Sequence, residues 1–183
     1  PRLPGEITVM NSSFEGTAMG AAWPGYIQPS RIAGWGGARN GYGPNGYSPK
    51  TFFVEPFFDN GINSDQDNVI FLQGGGSLEQ IVGGLQAEQP YTLVFDYHGR
   101  DGREHNTSGA FPETTYELYL DEALIDTRPF EPVNSSSPWP GFLHTLPLYQ
   151  AFVPFTPFAD TVALRIAHVV ADPDQDRALL VDN

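Results

Sequence analysis

The feature that most narrows what this chain can become is its punctuation by glycine. Within residues 65–100, DQDNVIFLQGGGSLEQIVGGLQAEQPYTLVFDYHGR, glycines cut the sequence into three strand-like runs. Residues 68–73 are apolar and rich in β-branched and aromatic side chains, Gly74, Gly75 and Gly76 break them, residues 77–82 resume, and Gly83 and Gly84 break again. In the third run, Tyr91, Leu93, Phe95 and Tyr97 alternate with Thr92, Val94, Asp96 and His98. Strand side chains repeat with period two, so the first set makes core and the second is left to meet something else.

The same period returns downstream. Tyr116, Leu118 and Leu120 alternate with Glu117, Tyr119 and Asp121, and residues 123–127 pair back through a tight Asp121-Glu122 corner. Val162, Leu164 and Ile166 alternate with Ala163, Arg165 and Ala167, with His168 continuing the buried side, and residues 148–155 and 177–182 read as further strands. Residues 7–10 read as a short strand and 32–35 as a candidate for another. Roughly nine or ten short strands at this spacing predict an all-β fold, a two-sheet antiparallel β-sandwich of jelly-roll topology. Twenty glycines, 17 prolines and 13% aromatic residues agree with sheets joined by turns rather than with helices.

At 183 residues the chain is expected to form one domain, 1–183. It opens on PRLPGE, with neither methionine nor leader, and closes on ALLVDN while still strand-like, so it is expected to be cut from a longer polypeptide. A net charge of −13, with one lysine (Lys50) beside eight arginines, argues against nucleic acid and anionic lipid as partners, because both need cations to displace counterions. No apolar run reaches the length of a membrane-spanning helix. Without cysteine there is no disulfide, thiolate metal site or cysteine nucleophile. An acidic, lysine-poor, cysteine-free chain fits an extracellular or cell-surface protein secreted by a bacterium.

Between the strands lie long polar connections. Residues 17–65 are dense in Gly, Pro, Asn and rings, including Trp23, Trp35, Tyr42 and Tyr47, and are expected to pack on their own side chains as one wall of a site, Trp35 going to the core. Residues 99–112 carry Arg100, and residues 130–147 hold Trp139 stiffly between Pro138 and Pro140.

The order of motifs is recognisable. Asn11-Ser12-Ser13-Phe14-Glu15 opens; Gly34-Trp35, Asp67-Asn68-Val69, Phe71-Leu72, Gly76-Ser77-Leu78-Glu79-Gln80 and the 91–97 strand follow; Leu179-Leu180-Val181-Asp182-Asn183 closes. Together they resemble the galactose-binding-like jelly rolls of bacterial secreted proteins, among them carbohydrate-binding modules fused to polysaccharide-degrading catalytic domains. In many such modules the early Phe-Glu carboxylate and the aspartate of the last strand hold a structural calcium. The resemblance therefore implies Glu15 and Asp182 as calcium ligands, with Asp67 or neighbouring backbone carbonyls completing the set. Calcium takes six to eight oxygens and can tie together remote chain ends. The plainer account makes these carboxylates solvated or capping groups.

Carbohydrate binding calls for rings that stack on the apolar faces of sugars and for planar or charged groups that pair with hydroxyls. The outward face offers Asp96, His98, Glu117, Tyr119 and Arg165, and the loops add Arg100 and Trp139. Tyr119 and Trp139 lead, one alternating with charges and the other on a rigid polar loop, although any single ring is more often packing or turn. The acidic run 59–67 lacks the glutamate of an EF-hand loop and reads as a polar turn. His98, His105, His144 and His168 form no compact zinc spacing, and Gly74 to Gly76 precede a strand, not a helix that could cradle phosphate. The leading expectation is a non-catalytic carbohydrate-binding module. The alternatives are a structural or adhesive domain with protein partners and, further off, a small enzyme: a glycosidase using Asp96 and Glu117 as paired carboxylates on adjacent strands, or a polysaccharide lyase using Tyr119 with His98 and Arg100.

Overall fold

The computed structural model describes residues 7, 9–14, 16, 32–37, 40–44, 68–99, 114–130, 149–170 and 178–182. They contain nine strands: β1 (Asn40–Pro44), β2 (Asn68–Gln73), β3 (Ser77–Gly83), β4 (Tyr91–Gly99), β5 (Thr114–Leu120), β6 (Ala123–Phe130), β7 (Tyr149–Phe155), β8 (Thr161–Val169) and β9 (Ala178–Asp182). A five-stranded sheet runs β1-β2-β9-β4-β7 and a four-stranded sheet β3-β8-β5-β6. Every pairing is antiparallel. From β2 onward each connection except the β5–β6 hairpin crosses between sheets, as expected of a jelly roll. Among the described residues no helix is long and apolar enough to cross a membrane.

The alternation read from sequence is what closes the sandwich. Leu78 and Val82 of β3, Tyr116, Leu118 and Leu120 of β5, and Val162, Leu164 and Ile166 of β8 are buried against Ile70, Leu72, Phe95, Tyr97, Ala151, Val153, Leu179 and Val181 of the other sheet in a single cluster. Tyr116 stands at its centre, its ring edge-on to Phe95 at 5.4 Å and to Tyr97 at 4.8 Å. Offset and edge-to-face pairs of this kind add to the burial of the rings themselves. The Tyr116 hydroxyl donates to Asp126 Oδ2 at 2.7 Å, and Asp126 in turn pairs with Arg128 at 3.0 Å. Burial, reinforced by that hydrogen bond, pushes the Tyr116 phenol far above its ordinary value.

Three local expectations change. The described residues 7, 9 and 10 lie in no strand: position 10 enters a turn in which Asn11 and Phe14 adopt φ of 51° and 59°, and Phe14 N–H donates to the Asn11 carbonyl at 3.1 Å. Residues 32–35 are also a turn, closed by Trp35 N–H to the Ile32 carbonyl at 3.0 Å. Short β-branched runs have no partner to become strands when the backbone reverses within four residues. Strand β1, by contrast, arises in a Gly-rich segment with no alternation to announce it.

These turns seal one edge of the four-stranded sheet. Phe14, Ile32 and Trp35 are buried, Trp35 as expected, and the Phe14 and Trp35 rings meet at 5.6 Å. Gly36 and Glu79 exchange backbone hydrogen bonds of 2.8 and 3.0 Å, so the edge strand β3 does not present a bare ladder there. The buried Gln80 amide completes the seam: its Nε2 donates to the carbonyls of Met10 at 3.0 Å and Gly34 at 2.7 Å, while its Oε1 accepts Met10 N–H at 2.9 Å. Gly34 sits at φ 83°, a left-handed backbone that favours glycine, and a Cβ there would fall 2.6 Å from Sδ of the exposed Met10 side chain, which would have to shift.

Candidate functional site

Because β3, β8 and β5 bury their alternate residues, the intervening ones line the outer face of the four-stranded sheet. Register sets Glu79 opposite Arg165, and Arg165 opposite Tyr119, in one row. Ala167 and Glu117 form the next row, and Ile81 and Ala163 flank the first on its other side. The small side chain of Ala163 sits beside the longer Ile81 and Arg165, which leaves an open groove of about 390 Å³ lined by Glu79, Ile81, Tyr119, Glu122, Ala163 and Arg165. Ile81 is 68% exposed along it. An apolar floor beneath polar walls is the ordinary form of a small-molecule site.

The polar groups are held in place. Arg165 lies over the Tyr119 ring, its Cζ 4.0 Å from the centroid. The Tyr119 hydroxyl donates to Glu117 Oε2. This hydrogen bond, with burial and the Glu117 charge behind it, holds the Tyr119 phenol above its ordinary value, while Arg165 pulls the other way. Glu79 Oε1 accepts from Ser77 Oγ at 3.0 Å. At the groove's end, Asp121 Oδ1 accepts Ala163 N–H at 2.8 Å and Asp121 N–H donates to the Ala163 carbonyl at 3.0 Å, pinning the β5–β6 turn onto β8.

The structure thus brings Glu117, Tyr119 and Arg165 together as expected of one outward face. It does not bring Asp96 and His98 to them. Both belong to β4, in the other sheet, so Asp96 and Glu117 are not on adjacent strands and form no carboxylate pair. Nor are they free on a wet surface: Asp96 is 5% and His98 2% exposed, although Thr92 and Val94 on the same face of β4 are exposed. Tyr149, from the edge strand β7, stacks on the His98 imidazole at 5.0 Å and 14°. His98 Nδ1 lies 3.0 Å from the Gly99 carbonyl, an acceptor, so that nitrogen carries the hydrogen.

Asp182 is wholly buried at the end of β9, directly opposite Asp96 in the β4–β9 ladder. Glu15, Asp67, Arg100 and Trp139 lie outside the described residues, as do Trp23, Tyr47, His105, His144 and the 59–67 run. Among the described residues, no group of three or more histidines or carboxylates is placed to hold a metal ion. His168 is buried on the core side, as its phase requires.

Sequence reasoning missed Glu79, Ile81 and Glu122. Two signals were present. Glu79 and Ile81 alternate with the buried Leu78, Gln80 and Val82, and the hairpin turn lacks the glycine its geometry favours.

No protein-family model matches the chain, and no curated protein matches it. Solved structures do. A cyclase from Fischerella sp. TAU is similar at TM-score 0.57 and 15% identity, over 97% of this chain and 93% of that chain. The cyclase of that organism in complex with 4-(1H-indol-3-yl)butan-2-one gives TM-score 0.57 and 14% identity, over 96% and 94%. At such identities the shared property is the β-sandwich alone. A family 35 carbohydrate binding module from Clostridium thermocellum is also among the neighbours, at TM-score 0.45 and 13% identity over 87% of this chain and 98% of that chain, too loose a likeness to add to this. The chain is therefore an antiparallel β-sandwich with the strand order of a jelly roll, an architecture that does not by itself fix a function.

Proposed function

We propose that this chain is a non-catalytic, secreted carbohydrate-binding module whose groove on the outer face of the four-stranded sheet takes an oligosaccharide. The observation that carries the reading is the pairing of an apolar surface, Ile81 and Ala163, with the ordered polar wall of Tyr119 and Arg165 in one open groove, the Tyr119 hydroxyl being held by Glu117. A sugar ring has an apolar face and a rim of hydroxyls, and such a groove answers both. A glycan array followed by calorimetry tests this. Binding that falls at least tenfold in Arg165→Ala supports it, and a ligand whose affinity ignores that substitution counts against the groove. The array should carry 4-(1H-indol-3-yl)butan-2-one as a separate arm, because binding there and to no glycan would favour the chemistry of the cyclases.

A structural calcium belongs to the same proposal. Of its implied ligands Asp182 is described, wholly buried at the end of β9 and opposite Asp96 in the β4–β9 ladder, and a carboxylate oxygen is the kind of ligand calcium takes. Glu15 and Asp67 would have to supply further oxygens. A site filled at about 100 times its dissociation constant stabilises the fold by about 2.7 kcal/mol. A chelator should accordingly lower the unfolding midpoint of the native chain and leave that of Asp182→Asn unmoved. Equal midpoints of the native chain with and without chelator would remove the ion.

A second reading, a domain that binds protein, is favoured by one observation. Val94 and Phe152 face each other across β4 and β7 and remain 38% and 57% exposed on the other sheet. A Phe152→Ser variant that loses a protein partner and keeps its glycan would support it.

A further inference from the structure

The groove's charge points to the kind of sugar it selects. Among the described residues Arg165 is the cation lining it, and it lies on the Tyr119 ring, whose hydroxyl is bonded to the Glu117 carboxylate. Two further carboxylates, Glu79 and Glu122, line the groove and pair with no cation among the described residues. Among the described lining residues, two carboxylates therefore face one guanidinium, an excess of negative charge beside the apolar Ile81 and Ala163. An acidic sugar would meet Glu79 and Glu122 with like charge, whereas an amino sugar would bring an ammonium to them.

The turn that carries Glu122 strengthens the case. Residues 121 and 122 form the two-residue loop of the β5–β6 hairpin, with φ of 48° and 67°. Turns of this geometry favour Asn-Gly or Asp-Gly, because a side chain in the left-handed region is strained. Asp121 has a use, since its carboxylate holds Ala163 N–H. At position 122 the chain forgoes the relaxed residue for a glutamate whose side chain lines the groove.

We infer that the groove is selective for amino sugars over acidic ones, with Glu79 and Glu122 reading the ammonium group. The inference rests on the carbohydrate reading. It is tested by calorimetry on trisaccharides of glucosamine and of galactosamine, their N-acetylated counterparts, and trisaccharides of glucuronate and galacturonate. The pH should lie above the titration of the carboxylates and below that of the sugar amines. In at least one configuration, the amino form should bind about 5-fold tighter than the acetylated form and the uronate weakest, the order expected of one or two exposed ion pairs. Added salt should shrink that ratio. Glu79→Gln with Glu122→Gln should bring it close to one, and Glu88→Gln, at an exposed turn away from the groove, should leave it unchanged, which separates a local effect from the attraction of any acidic protein for a cation.

A uronate bound as tightly as its amino counterpart would overturn the selectivity while sparing the carbohydrate reading. So would a preference that survives the double substitution. Failure of every trisaccharide to bind would overturn both.

Discussion

The outer faces of the two sheets carry the same kind of sequence and come to opposite ends. On β4, Thr92, Val94, Asp96 and His98 alternate with core residues just as Glu117, Tyr119 and Asp121 do on β5. Yet Asp96 and His98 are almost solvent-free while Tyr119 borders an open groove, its hydroxyl bonded to Glu117. Period two assigns a side chain to a face; it does not say whether that face stays wet. On β4 the answer changes within one strand, from exposed at Thr92 and Val94 to buried at Asp96 and His98. Polar residues at equivalent phase therefore do different work, one set structural and the other available to a ligand.

Substitution separates the two faces most sharply at His98. Its ring is buried and stacked, so His98→Ala should cost about 2–3 kcal/mol in denaturant unfolding through lost packing, while glycan affinity measured on the folded protein stays unchanged. A loss of affinity without a loss of stability would reverse the contrast between the faces. Tyr119→Ala is its counterpart. It should weaken glycan binding at least tenfold, about 1.4 kcal/mol, and move stability by no more than about 0.5 kcal/mol, because the residue is only half-buried. The reverse pattern would make Tyr119 a packing residue.

A smaller effect is expected at the hairpin. Glu122→Gly relieves a left-handed backbone at φ 67° and should raise stability by about 0.5–1 kcal/mol while diminishing the amino-sugar preference. Improved stability with selectivity intact would leave the strain without a purpose. Smallest is a matter of protons. The Tyr116 and Tyr119 phenols are both held above the ordinary tyrosine value, the first chiefly by burial and the second chiefly by its bond to Glu117. A raised folded value means that the folded state favours the proton. This contribution to stability is whole below the unfolded value near 10 and declines as pH climbs toward and through the folded one. Absorbance titration should show a late-ionising phenol that Tyr119→Phe removes, and Tyr116 should ionise only as the chain unfolds.

Much of the architecture was legible because burial on one face of a strand leaves a local trace. Tyr116, Leu118 and Leu120, or Val162, Leu164 and Ile166, announce a core side regardless of what packs on it. The segments that misled were those without such a trace. Residues 7–10 have the composition of a strand but turn at Asn11, and β1 pairs through backbone groups that Gly-rich sequence does not advertise. The site was half legible. Glu117, Tyr119 and Arg165 could be placed outward from their own strands, but that Asp96 belongs to the opposite sheet depends on how strands order themselves, which no single strand encodes.

What the chain determines by itself is period, punctuation and charge: which residues are apolar every second position, where glycine lets the backbone reverse, and how acidic the surface will be. Those are local or additive properties, set by stereochemistry and composition. Only the tertiary structure decides which alternate residues share a sheet, that Ala163 leaves a hollow between Arg165 and Ile81, and that Asp96 and Asp182 come face to face under cover. Such relations depend on register and strand order, which arise from the packing of residues far apart in the chain.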